Sequence, residues 1–422
     1  MQQWTPSLIY AGIILVLAMT IGGGTEQGLW TDHLLQFLML PALYLGLARS
    51  NLSRVTSSAK LLALGILAVV LIQFAPVHRS AELSEILPSS GGFSFFSPVP
   101  QRSLEAALFT LSILGFTLFL SRFSDREQSQ LLPFLFAGTC INMIAGLVQL
   151  SSPRLPETLD ILPYVPSVGL LANENHASSL IYIMIPMVAY RYLARSRQVW
   201  TYIGLCFVMV VFLFAVGSRA GMAISLAVAV LSLFWFLSTD KAFVLRAGLF
   251  AGGLVLLLLI PFFIGFDDSS AKELRPVIFA TTWKAIQSHW LIGSGLGSFS
   301  LTYPAFEARD AILAVFINHA HNDYLEIFLE VGVAGVALIV VFFILIVRNF
   351  RRSLLAEASA LALLTLAIHT LVDYPLRTMT IGVNFAFFVA VVLSVKPNAQ
   401  TETSDYIEGA GRKRTSSQSL PM

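Results

Sequence analysis

The chain has 422 residues, of which 56% are hydrophobic and 12% charged, and its mean hydropathy is +0.77. This composition excludes a water-soluble globular protein and indicates a polytopic α-helical membrane protein. A net charge of +2, without a basic stripe interleaved with aromatics, argues against nucleic-acid binding. The two cysteines, Cys140 and Cys206, both sit inside apolar runs, so neither a disulfide framework nor a CxxC metal site is available.

Counting apolar runs long enough to cross about 30 Å of hydrocarbon predicts twelve spans. The first, 6–23, has no Lys or Arg before Ile21 and no small-residue cleavage site after it, so it reads as a retained span and not a signal peptide. Spans at 29–47 and 59–75 follow, then a loop over 76–103 rich in Pro, Ser and Gly that is expected to be partly ordered. Six more, at 104–121, 131–151, 170–190, 199–216, 220–238 and 243–265, lead to the longest loop, 266–321. Spans at 322–347, 354–372 and 379–395 complete an integral-membrane domain over 1–395. The tail, 396–422, is polar and aperiodic and is expected to be disordered. With the N-terminus in the cytoplasm, 17 of the 26 Lys and Arg fall inside, and every inner connection between spans carries at least two. The positive-inside bias therefore predicts cytoplasmic termini and an outer-facing 266–321 loop.

Of the nine Lys and Arg left outside, two arginines stand out. Arg219 lies in the tight turn Gly217-Ser218-Arg219-Ala220-Gly221, where it either meets a partner or snorkels to headgroup phosphates. Arg275 lies in the long loop, before a short amphipathic helix that Pro276 is expected to begin and that carries Phe279, Trp283 and Ile286. The following Gly293-Ser294-Gly295-Leu296-Gly297 lacks the Lys-Ser/Thr of a phosphate-binding loop and reads as a flexible turn.

The loop ends in Asn318-His319-Ala320-His321-Asn322. From His321 the pattern is His-Asn, nine residues, Gly332, two residues, Gly335. At about 100° per residue, a continuous helix would set His321, Leu325, Phe328, Gly332 and Gly335 on one face, where another helix approaches closely. The plainer alternative is a pair of interfacial histidines capping a membrane helix. The topology brings further polar groups to the same interface: Asn173, Glu174, Asn175 and His176 ahead of one span, and His369, Asp373, Tyr374 and Arg377 between the last two. Asn173, Asn175, His176, Asn322, Asp373 and Arg377 are thus candidates for substrate contact.

Paired guanidiniums suit a phosphate or diphosphate, because each presents a planar fork to the oxygens. A histidine can accept the proton of an attacking hydroxyl. No Asp-x-Asp or Cys/His cluster occurs, and His319 and His321 lack the i, i+4 spacing of a helical zinc pair, so no metal is assigned.

On these residues, best over the second half of the chain, the sequence resembles the O-antigen ligase and polymerase family. The segments that carry the resemblance are Asn173-Glu174-Asn175, the turn at Gly217 to Gly221, Arg275 with the helix and glycine run after it, and His321-Asn322 with Gly332 and Gly335. The resemblance implies an all-α, GT-C-like bundle in the bacterial inner membrane, with its active site facing the periplasm. It implies a metal-independent, inverting glycosyltransferase without cofactor that takes a glycan from undecaprenyl diphosphate. Arg219 and Arg275 would bind the diphosphate and His321 would activate the acceptor. His319 stays open as the alternative base, with His321 favoured by its motif spacing. The acceptor would be a glycan or the lipid A core, with a chain-length regulator as an expected partner and membrane lipids as surroundings; transfer to protein hydroxyls is the alternative within the family. Outside it, the competing class is a twelve-span secondary transporter, for which Asp323, Glu326 and Glu330 would be the relay candidates, although no repeat is visible.

Overall fold

A computed structural model of the chain describes residues 4–53, 55–78, 93–152, 161–237, 269–308 and 316–394. Helices dominate, and their starts follow the local sequence. Helix α1 (Pro6–Ile21) is capped by the Thr5 hydroxyl with Pro6 in its first turn, where a missing N–H costs nothing. After it come α2 (Trp30–Leu47) and α3 (Ser57–Ile72). Next are α4 (Pro100–Leu120), α5 (Leu132–Ser151), α6 (Glu174–Ala189), α7 (Val199–Ala215) and α8 (Arg219–Leu237). Beyond these lie α9 (Ser269–His289), α10 (Asp323–Val331), α11 (Val333–Asn349), α12 (Leu354–His369) and α13 (Met379–Leu393). Among the described residues, four helical stretches, Pro100–Leu120, Asp125–Ser151, Glu174–Ala194 and Val333–Arg352, are long and apolar enough to cross a membrane; other apolar helices are shorter.

Eleven of the twelve apolar runs read from the sequence coincide with these helices. The run at 243–265 and the tail at 396–422 lie outside the described residues. Helices α6 and α13 are buried almost throughout, which marks them as the centre of the bundle. Helix α6 packs on α8 and α12, α13 packs on α4 and α12, and α1 packs on α5. The start of α6 and the link from α12 to α13 therefore meet at one end of the core.

The all-α architecture expected from the sequence is present, and the 76–103 loop is partly ordered as expected, holding a short antiparallel pair, β1 (Pro76–His78) with β2 (Phe93–Phe95), in the register Val77 to Ser94. Three expectations need correction. Helix α9 starts at Ser269 with Pro276 inside it and not at its start, although an interior proline removes one helical N–H and its ring crowds the carbonyl one turn back. The 322–347 run is not one helix but breaks at Gly332, whose φ of 68° ends α10 and opens α11. The glycine run is not a flexible turn but is fastened to that break. The Ser294 and Gly295 amides donate to the Leu329 and Glu330 carbonyls at 2.8 and 3.0 Å, and the Ser103 hydroxyl donates to the Leu296 carbonyl at 2.6 Å. A Cβ on Gly293 would lie 2.3 Å from the Glu330 oxygen, and one on Gly332 2.6 Å from the Leu291 oxygen. Gly332 thus admits a loop backbone, not a second helix.

Candidate active site

Asp373 is the hub of the site. It follows α12, its amide donating to the His369 carbonyl at 3.1 Å, and it is wholly buried. A buried carboxylate requires compensation, and five side chains supply it. Asn175 Nδ2 donates to Oδ2 at 2.7 Å. Arg275 Nη2 lies 3.8 Å from Oδ2 and His369 Nε2 3.9 Å from it. His321 Nδ1 and His176 Nε2 approach Oδ1 to 3.6 and 3.8 Å. Burial alone would raise the pKa of Asp373, but the His176 and His321 imidazoles outweigh it and hold the group well below the ordinary carboxylate range. The Tyr374 ring packs among three imidazoles, with centroids 4.9 Å from His176, 4.4 Å from His319 and 4.8 Å from His321. Burial and the adjacent Asp373 push its phenol up to about 12, so it stays neutral.

His321 has a φ of 51°, a conformation that typically costs a non-glycine residue about 1–3 kcal/mol and collects at functional sites. It precedes α10 and is not on its face. Its neighbour Asn322 caps α10: Oδ1 accepts from the Tyr324 and Leu325 amides at 3.0 Å each, and Nδ2 donates to the Leu371 carbonyl at 2.8 Å. Asn173 caps α6 in the same way, accepting from the Asn175 amide at 2.8 Å. These two asparagines shape the backbone that carries the histidines.

Arg377 sits apart from the hub. Its guanidinium faces Asp323 and Glu326 at 3.3 Å each and Glu330 at 3.5 Å, and Glu330 also accepts from the Phe299 amide at 3.2 Å. Glu326 in turn contacts His319 Nδ1 at 2.8 Å. The acidic stripe of α10 is therefore the counter-charge of Arg377. A largely apolar cavity of about 410 Å³ flanks this cluster, not Asp373, and runs between α3, α4, α11 and α13.

Asn175, His176, Arg275, His321 and Asp373 are brought together, with His319 and Arg377 behind them. Arg219 starts α8, and its side chain lies outside what is described. Its backbone neighbour Ser218 bonds the Ser178 hydroxyl at 2.5 Å, two residues beyond His176, and a Cβ on Gly221 would lie 2.5 Å from the Ser178 side chain. The tight turn therefore docks beside the histidine end of α6.

Residues 204–340 match the family model described as O-antigen ligase. That match supports the O-antigen ligase family for this part of the chain. It spans Arg219, Arg275, His319 and His321, whereas His176 and Asp373 lie outside it. No curated protein matches the chain. The O-antigen ligase match and the several apolar helices together indicate a membrane glycosyltransferase of that type. The sequence missed the hub role of Asp373, the Tyr374 packing and the His319–Glu326 pair. The acidic stripe Asp323, Glu326 and Glu330 was the available signal for the last.

Proposed function

We propose that the protein transfers a glycan from undecaprenyl diphosphate to an acceptor hydroxyl at the periplasmic face of the inner membrane, with inversion and without a metal. The observation that carries this reading is the shared carboxylate: Asp373 lies 3.6 Å from the His321 imidazole and 3.8 Å from the Arg275 guanidinium, so one buried group aligns a base and an anion-binding cation. With Nδ1–H directed at Asp373, His321 is left with Nε2 as its proton acceptor. The acceptor hydroxyl gives its proton to Nε2 as its oxygen bonds to the anomeric carbon. The carbon–oxygen bond to the diphosphate breaks, and the electron pair leaves on the diphosphate, held by Arg275 and Arg219. Tyr374 and His176 keep the imidazole in place.

Purified protein with a synthetic undecaprenyl diphosphate-linked glycan tests the reading. Transfer to a lipid A core acceptor supports a ligase, extension of a second lipid-linked glycan supports a polymerase, and transfer to a protein hydroxyl supports the third activity. No transfer to any of the three, from protein that binds the donor, would overturn it. Loss of transfer in chelator, restored by a divalent ion, would overturn the metal-free step.

A further inference from the structure

The pair His319 and His321 offers two imidazoles two residues apart, and the structure separates their roles. His319 is buried, with Nδ1 2.8 Å from Glu326 Oε1 and Nε2 3.1 Å from the Thr25 carbonyl oxygen. A carbonyl oxygen only accepts, so Nε2 carries a proton. The remaining question is whether the proton between Nδ1 and Glu326 sits on nitrogen or oxygen. Glu326 already accepts from the Ala320 amide at 2.8 Å through Oε2 and lies 3.3 Å from Arg377 through Oε1, an arrangement that favours the ionised carboxylate. Asp323, Glu326 and Glu330 share Arg377 as the neighbouring cation, and a cationic His319 gives the Glu326 carboxylate a second positive partner. The Tyr374 ring lies over His319 at 4.4 Å with a 34° interplanar angle, a packing that suits a cationic ring.

We propose that His319 is a standing imidazolium that positions the site without exchanging protons, tying the loop before α10 to Glu326 and to the α1–α2 connection, so that His321 is the base of the pair. Only the word base rests on the glycosyl-transfer reading; the protonation state does not. By fixing Ala320 and His319 against Glu326, the clamp holds the backbone immediately before His321, whose left-handed conformation would otherwise relax. The raised pKa of His319, where the Glu326 carboxylate outweighs the lowering by burial, points the same way.

The test is solid-state NMR of the full chain in lipid nanodiscs, with 15N histidine and 13C glutamate labels. The pH is set at about 8.5, roughly two units above the ordinary imidazole value. The expected spectrum contains, among the seven histidines, one ring with both nitrogens protonated and in contact with a glutamate carboxylate carbon. That contact assigns the ring in the unmodified protein, so the result does not depend on a variant folding. A ring with one bare nitrogen in that contact, or no doubly protonated ring at all, overturns the proposal. His319→Gln provides the functional arm: transfer should fall while the acid limb of its pH profile stays where it was. A displaced acid limb would give the base to His319 and also overturn the proposal. Absence of transfer by the unmodified protein would sink the glycosyl-transfer reading while leaving the NMR result to stand.

Discussion

Asp373 and Arg377 are four residues apart and build opposite centres. The carboxylate collects an arginine, an amide and three imidazoles, whereas the guanidinium collects three carboxylates. The first centre is open: about a quarter of the Arg275 and His321 side chains is exposed, and neither ring nitrogen of His176 has a hydrogen-bond partner among the described residues. The second is closed by Asp323, Glu326 and Glu330, each at most 3% exposed in its side chain. An anionic ligand would meet the Arg275 guanidinium at the first and three carboxylates at the second. The difference separates two residues that the sequence grouped together as substrate contacts.

The largest expected effect is at the open centre. His321→Ala should lower transfer by about 10²–10⁴-fold, the usual worth of a general base, with protein abundance and donor binding retained. Asp373→Asn should also lower transfer, because the amide no longer attracts the imidazole. Wild-type transfer by His321→Ala, measured with purified protein, would remove it as the base. At the closed centre the loss should instead be structural. Arg377→Met leaves three buried carboxylates without their guanidinium, for which about 3–5 kcal/mol of destabilisation is expected, read as a lower melting temperature in detergent. An Arg377→Met protein that melts normally but transfers poorly would move Arg377 into the substrate site. A smaller effect follows at Arg275, where one charge-assisted contact to phosphate is worth about 1.5–3 kcal/mol. Arg275→Ala should therefore slow transfer about ten- to a hundredfold, and Lys should restore only part of it because the bidentate fork is lost. Full transfer by Arg275→Ala at normal abundance would close this role.

Much of this was legible in the sequence because membrane helices are written in long apolar runs, and eleven of the twelve coincide with described helices. The gathering of Asn175, His176, Arg275, His321 and Asp373 followed from topology, since alternate connections must return to the same face. What escaped was set by backbone details that hydropathy does not encode. Gly332 carries as apolar a flank as any helical glycine, yet its positive φ divides the run and lets the Gly293–Gly295 backbone cross there. Asn322 stood out because it follows a histidine, but its amide is taken up by capping α10. Asp373 looked like one polar residue among several, because burial and convergence of partners from distant segments are properties of the fold alone.

The smallest prediction uses the opposite sign of the two centres in pH. Asp373 has a lowered pKa, so its contribution to stability is present above the ordinary carboxylate value and is lost as pH falls through the folded one. His319 behaves in reverse. Burial lowers its pKa, but the Glu326 carboxylate raises it further, and the net shift is upward. A folded state that holds the proton more tightly than the unfolded chain is stabilised fully below the ordinary imidazole value of about 6.5, and that stabilisation fades as pH rises through the folded value. The melting temperature should therefore decline on the alkaline side, and Glu326→Gln should flatten the decline, because the glutamine no longer holds the imidazolium. A variant that melts lower than wild type but keeps the same alkaline slope would place the titrating group elsewhere, and the closed centre would then hold His319 by packing instead of charge.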